Sequence, residues 1–269
     1  MTEFLIIPDN QMRERHRNSL NRVPDIHDWE PGTALTDLMR EMADPVGIHR
    51  KSWEYAICVQ GLRDLGVVNE SSTALAVGAG SERPLYYFAN HIARMVATDL
   101  YDNPEHEGTP LMLTNPQQFA PFPYREEHLE VLQMRGDELR FPSDNFDFCF
   151  SLSSIEHFGS RQTQRASLDE MIRVVRPDGI VCIITELIAT EHFHSDYFQW
   201  SEIEEMFLNH PSIELVGGDP DLSISESLMR YPVDIHSSNR LATSPHLVLE
   251  EDGMIWTSFS MFFRKLDRN

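Results

Sequence analysis

Three short segments carry residue types that do chemistry. Gly78-Ala79-Gly80 closes an apolar run, Ala74-Leu75-Ala76-Val77. A glycine pair there lets the backbone turn sharply and approach a ligand at the carboxyl edge of a sheet. Asp99 follows at the end of the next apolar run, ARMVAT, about twenty residues on, where a carboxylate accepts hydrogen bonds from ribose hydroxyls. Glu156-His157 follows FDFCFSLSS, and a histidine in that place can take a proton from an acceptor hydroxyl. The plain alternatives are a ligand-free strand-to-helix turn, a solvated aspartate and a histidine that orders its loop.

Glu191-His192-Phe193-His194-Ser195-Asp196 gathers carboxylates and imidazoles. Its spacing matches no established zinc pattern, so no metal is assigned and general-base or acceptor contacts are the functional reading.

These residues need a frame. Helical spacing runs from Trp53 to Leu65 and stops at Gly66, a C-terminal cap. Strands are expected at Ala74–Val77, Met95–Thr98, Leu129–Met134 and Phe146–Leu152, with a helix at about Pro84–Ile92. A capping box at Ser167 to Glu170 opens the next helix, and the turn Arg176-Pro177-Asp178-Gly179 feeds a strand over Ile180–Thr185. Ser201–Leu208 reads as a helix, Ile213–Val216 as a short strand and Met254–Phe263 as a last strand. Alternating strands and helices imply a parallel sheet covered on both faces.

Two segments fall outside this alternation. Residues 1–52 carry Pro24, Pro31 and Pro45, with a helical pattern only at Ala34–Met42, and read as an extension to a domain spanning 53–269. The stretch 217–252 reads as a long loop or insertion. Met229, Tyr231, His236 and His246 in it, with Trp53-Glu54-Tyr55, are candidates to cover a cofactor and shape an acceptor pocket; plain packing is the alternative for each.

A net charge of −21 would repel a phosphate backbone, which argues against nucleic acid as substrate. No apolar run has the length of a membrane span, and the first residues lack a signal-peptide pattern. Cys58, Cys149 and Cys182 are far apart, and the latter two lie in apolar runs; they read as reduced core residues of a cytoplasmic protein. The sequence carries no signal for oligomeric state.

A dinucleotide would want a third glycine where Arg83 stands, so an NAD-dependent oxidoreductase is the weaker reading. VGAG at 77–80, ATDLY at 97–101, GDELRFPSDNFDFCFSLSSIEHF at 136–158 and RVVRPDGIVCIITE at 173–186 occur in order. In these the chain resembles the class I S-adenosylmethionine-dependent methyltransferases. The resemblance implies a Rossmann-like α/β fold: a mainly parallel seven-stranded sheet with an antiparallel C-terminal strand and helices on both faces. It also implies S-adenosylmethionine as cofactor. Gly78, Ala79 and Gly80 would pass under its methionine part, Asp99 with Leu100 would meet the ribose, Asp137 and Glu138 would flank the adenine, and Ser151 to Ser153 would lie on the methionyl side.

Two positions depart from the family: Ala76 replaces a usual acid, and Glu82 stands where a further glycine is common. Glu82 is therefore expected to supply the negative charge for the cofactor's ammonium, and His157 to be the catalytic residue. WEYAICVQGLRDLGV, VGAGSERPLYYFAN and PHLVLEEDG…WTSF are similar to segments of methyltransferases of glycan biosynthesis, which implies a sugar hydroxyl as acceptor, ahead of O- or N-methylation of another small molecule. A non-catalytic binding module with the same fold is the alternative that Ala76 motivates.

Overall fold

The computed structural model describes residues 4–44, 47–102, 109–236 and 245–267. Its strands are β1 (Leu5–Ile7), β2 (Thr73–Val77), β3 (Arg94–Asp99), β4 (Leu129–Gln133), β5 (Phe146–Leu152), β6 (Val175–Ile188), β7 (Ile213–Leu215), β8 (Ser223–Ser225), β9 (Val233–Asp234), β10 (Val248–Glu251) and β11 (Met254–Lys265). The α-helices are α1 (Asp9–Met12), α2 (Ala34–Glu41), α3 (Arg50–Asp64), α4 (Arg83–Ala89), α5 (Arg161–Val174), α6 (Trp200–Ile203) and α7 (Glu226–Arg230).

Parallel pairing joins β4, β3, β2, β5 and β6 in that order. β11 runs antiparallel to β6, from Trp256 opposite Ile188 to Arg264 opposite Ile180. The carboxyl half of β11 pairs with β7 and its amino half with β10, which carries β9 in turn. The mainly parallel sheet with its antiparallel C-terminal strand is thus as expected, but among the described residues it has nine strands rather than seven. β9 and β10 are the additions, both from the segment read as a loop or insertion. Of that segment, 237–244 lies outside the described residues. β1 and β8 form a separate two-stranded parallel sheet, joining the two segments that the strand–helix alternation left out.

Alternation along each strand sends side chains to opposite faces. Ala74, Ala76, Phe148, Phe150, Cys182 and Ile184 pack with α2, α3 and α4 on one face. Leu75, Val77, Cys149, Val181 and Ile183 pack with α5 and α6 on the other. Buried on both faces, these strands read as continuous apolar runs. The three cysteines are buried and unbridged. Among the described residues no helix is long and apolar enough to cross a membrane.

Several local expectations are corrected. α5 starts at Arg161, capped by Ser160, whose hydroxyl accepts from the Thr163 N–H at 3.2 Å. Ser167 is mid-helix, buried, and donates to the Thr163 carbonyl, while Glu170 binds Arg173 and the Leu139 N–H. Arg176–Gly179 is not a free turn before the strand: Phe146 pairs with Val175 and Phe148 with Ile180, so these four residues bulge out of β6. Gly179 is required there, because a Cβ would lie 2.6 Å from the Asp147 carbonyl oxygen. The start read at Ser201 lies at Trp200, with the Glu202 carboxylate accepting from the Gln199 N–H at 2.8 Å, and a π-helical turn, Glu204–Leu208, follows.

Candidate active site

At the carboxyl ends of β2, β3 and β5 the chain encloses a cleft of about 770 Å³. Gly78 (φ +67°) and Gly80 (φ +46°) make the turn after β2. The neighbouring strand end fixes it: the Ala79 N–H donates to the Thr98 carbonyl at 3.0 Å, and the Gly80 N–H to the Asp99 carboxylate at 2.9 Å. Tyr101, itself at φ +47°, donates to the Gly80 carbonyl at 3.0 Å, and Ser154 donates to the Gly78 carbonyl at 2.8 Å. A Cβ on Gly78 would lie 2.6 Å from the Ser154 Cβ and 2.8 Å from the Phe158 ring.

The cleft brings together Gly78, Gly80, Glu82, Asp99, Leu100, Asp137, Ser153 and His157 from the expected set. It does not bring in Ala79, which is buried behind the loop, Ser151, buried with its hydroxyl unpartnered among the described residues, or Glu138, which is exposed outside the cleft. Asp99 Oδ1 also accepts from the Leu100 N–H at 2.6 Å. A carboxylate offers about four lone-pair sites, so two remain for donors in the cleft. Asp137 is held by two hydrogen bonds from Arg135, 2.9 and 2.8 Å, which keep its carboxyl below the usual range.

Glu82 is buried and accepts from the Lys51 ammonium at 3.2 Å. Lys51 also donates to the Leu152 carbonyl at 2.9 Å and pairs with Glu54 at 3.0 Å. Next to it Arg50 donates to Glu54 at 2.9 Å and to the Ser153 hydroxyl at 3.4 Å, and pairs with Glu186. Ser258 of β11 donates to Glu54 at 2.6 Å. Burial alone would raise the Glu54 carboxyl, but Lys51 and Arg50 outweigh it and hold it at about 2. Glu156, fully buried, accepts from the Thr185 hydroxyl at 3.0 Å; burial, then the nearby Glu186, push it up to about 8.

His157 reaches the cleft from the turn after β5, and its Nδ1 lies 3.1 Å from Asp196 Oδ2. The cluster 191–196 is therefore dispersed. Asp196 serves His157, His194 Nδ1 accepts from the Asp196 and Tyr197 N–H groups, and His192 Nδ1 meets the Thr190 hydroxyl. Among the described residues no group of three or more His, Cys, Asp or Glu is arranged to hold a metal.

Of the acceptor-pocket candidates, Trp53 and Glu54 are fully buried and Tyr55 is nearly so, and Glu54 joins the charge cluster. His246 stacks on His49 with centroids 4.1 Å apart, beside the start of α3. Tyr231 is exposed, and His236 pairs with Glu251 at 2.9 Å. Arg83 starts α4 and donates to the Met42 and Ala43 carbonyls, both at 2.8 Å. Reading the sequence missed Lys51, Arg135, Ser154 and Phe158 in the cleft wall. Only the place of Arg135 and Ser154 beside assigned positions pointed to them; Lys51 lay in the segment read as an extension.

Residues 75–183 match the family model described as a methyltransferase domain. No curated protein matches the chain as a relative. Among solved structures, the YcgJ protein from Bacillus subtilis is similar at 16% identity over 80% of this chain and 99% of its own, with a TM-score of 0.51. The [4+2]-cyclase SpnF is similar at 14% identity over 87% and 94%, with a TM-score of 0.52. At these identities the likeness concerns the fold, and the cyclase shows that this fold also serves other chemistry. The sheet and the strand-end cleft are similar to those of this fold, and the segment 75–183 is similar to a methyltransferase domain, for which S-adenosylmethionine is the implied cofactor.

Proposed function

We propose that the protein methylates a hydroxyl of a small molecule, a sugar first among the candidates, with His157 as general base. The observation that carries the reading is the place of His157: it lines the same cleft as Gly78, Asp99 and Ser153, and a carboxylate holds its Nδ1. A proton on Nδ1 shared with Asp196 leaves Nε2 with the lone pair that a base needs. Small-molecule sites are commonly clefts of about 300–1,000 Å³ with few polar groups. This cleft has that size and ends in a carboxylate with lone pairs to spare.

The residues fit S-adenosylmethionine. Asp99 would hold its ribose, Asp137 its adenine end, and Gly78, Gly80 and Ser153 its methionine end. When bound, it supplies an electrophilic methyl carbon on a sulfonium. What remains for the chain is to align an acceptor, exclude water and take one proton at His157 Nε2. The net charge of −21 favours an uncharged or cationic acceptor over nucleic acid, and the three reduced cysteines suit a cytoplasmic setting.

A second reading, a methyltransferase fold that binds without methylating, is favoured by Lys51: its ammonium already sits on Glu82, the charge expected for the cofactor's ammonium. Calorimetry with S-adenosylhomocysteine, followed by mass spectrometry of sugars incubated with the protein and S-adenosylmethionine, separates the two. Cofactor binding with a methylated product is expected. Binding with no product from any sugar or other small hydroxyl compound would favour the second reading.

A further inference from the structure

The helix after the His157 turn opens with a charge of the wrong sign for its position. Arg161 is the first residue of α5, and that first turn holds no acid, although the helix dipole opposes a cation there. Its guanidinium serves another segment. It donates to the carbonyls of four consecutive residues: His194 at 3.3 Å, Ser195 and Asp196 at 3.0 Å each, and Tyr197 at 2.7 Å. These residues, between β6 and α6, belong to no helix or strand, so one planar fork supplies donors that a regular element would otherwise supply.

The fork is itself held on two further sides. Glu202 accepts from Nε at 2.8 Å and from a terminal nitrogen at 3.2 Å, and the guanidinium carbon lies 4.2 Å from the centroid of the Phe198 ring. Three residues on, and so on the same face of α5, the side-chain oxygen of Gln164 accepts from Arg161 at 2.9 Å. The amide nitrogen of this fully buried glutamine donates to the Glu156 carbonyl at 2.6 Å and to the Gly159 carbonyl at 3.1 Å, on either side of His157. Arg161 and Gln164 together grip both segments that meet in the His157–Asp196 contact.

That contact needs such support. The His157 and Asp196 side chains are 51% and 39% exposed, so water competes for both and an ion pair in such surroundings does little to hold its own geometry. We infer that Arg161 and Gln164 are positioning residues, which fix the backbone on both sides of the contact and so keep the His157 proton on Nδ1 and Nε2 free to act as base. This rests on the reading of His157 as base given above.

The proton on His157 reports on the clamp with no acceptor present. Long-range proton–nitrogen correlation NMR of the histidine-labelled full chain is expected to find it on Nδ1 when the imidazole is neutral, the His157 signals being identified by their loss in His157→Gln. In Arg161→Met the ratio of Nδ1–H to Nε2–H forms is expected to fall at least about tenfold, the scale of one charged hydrogen bond, toward the ratio in Asp196→Ala. Adding Arg161→Met to Asp196→Ala is then expected to change nothing further. Arg161→Lys keeps the charge beside Glu202 without the fork, and Gln164→Met leaves Arg161 in place; each is expected to move the ratio the same way by less, so the test stands if Arg161→Met fails to fold. A structural role alone would lower the urea midpoint and leave the tautomer as it was. A parent with the proton on Nε2, or folded variants that all keep the parent's ratio, overturns the inference. A ratio that moves as expected, in a protein that methylates no hydroxyl compound, supports the clamp and strikes the base reading instead.

Discussion

Asp196 Oδ2 lies 3.1 Å from Nδ1 of His157, joining the turn after β5 to the loop after β6. Burial pushes the Asp196 carboxyl up, but hydrogen bonds from His157 and Ser195 outweigh it and keep it below its ordinary value. A carboxylate that stays ionised fixes the imidazole's orientation and tautomer. If His157 is the base, His157→Ala lowers kcat by about 10²–10⁴ with S-adenosylhomocysteine affinity unchanged. Asp196→Asn acts through His157 and is expected to lower kcat less and to shift the pH profile of kcat, which a merely structural role would leave in place. A His157→Ala variant with full turnover would remove the base from the mechanism.

Gly78→Ala tests the cofactor loop. The residue holds φ +67°, and an added Cβ would lie 2.6 Å from Ser154 and 2.8 Å from Phe158. Strain of about 1–3 kcal/mol and displacement of Phe158 are expected to weaken S-adenosylhomocysteine binding by at least about tenfold. Calorimetry reads the affinity, and circular dichroism checks that the fold persists. Unchanged affinity would mean that the loop does not approach the ligand.

The sheet and the glycine loop were legible because their signals are local. Apolar runs of strand length, punctuated by Gly78 and Gly80, give β2, β3, β5 and β6 directly. The start of α5 was missed because Ser160 and Ser167 carry competing capping signals, and tertiary burial of Ser167 decides between them. Lys51 and Arg50 were not legible at all. Their role depends on α3 starting ahead of its apolar stretch, beside β5 and β6, a long-range relation that leaves no pattern in sequence. Asp196 was noticed, but as part of a cluster; only the fold shows that it turns to His157.

The N-terminal segment is stapled by a buried ion pair. Arg22 donates two hydrogen bonds to Asp28, 2.8 and 2.7 Å, and Arg17 and Asp221 extend the network to the segment before β8. Asp28→Asn is expected to cost about 3–5 kcal/mol, because it leaves Arg22 buried without its counter-charge. Burial raises the Asp28 carboxyl, but Arg22 and Arg17 lower it more, so its folded pKa is below the unfolded one. Its contribution is then fully present above about pH 4 and is lost as pH falls through the folded value. Urea unfolding at pH 7 and at successively lower pH checks both. A variant with the parent's midpoint at pH 7 would show that the pair does not stabilise the fold.

Glu156 acts with the opposite sign. Its folded value of about 8 lies above the ordinary carboxylate value of 4.5, through burial and then the repulsion of Glu186. Between those values the unfolded chain has released a proton that the folded chain keeps, so stability falls as pH rises across the window. Glu156→Gln retains an oxygen for the Thr185 hydroxyl, 3.0 Å away in the parent, but has no proton to lose. Its Tm is expected to gain steadily on the parent's from about pH 5 to about pH 8. Differential scanning calorimetry of both proteins across that range reads the difference. Parallel Tm curves would show that Glu156 is already ionised in the folded protein, with its charge satisfied by Arg50 and Lys51 after all.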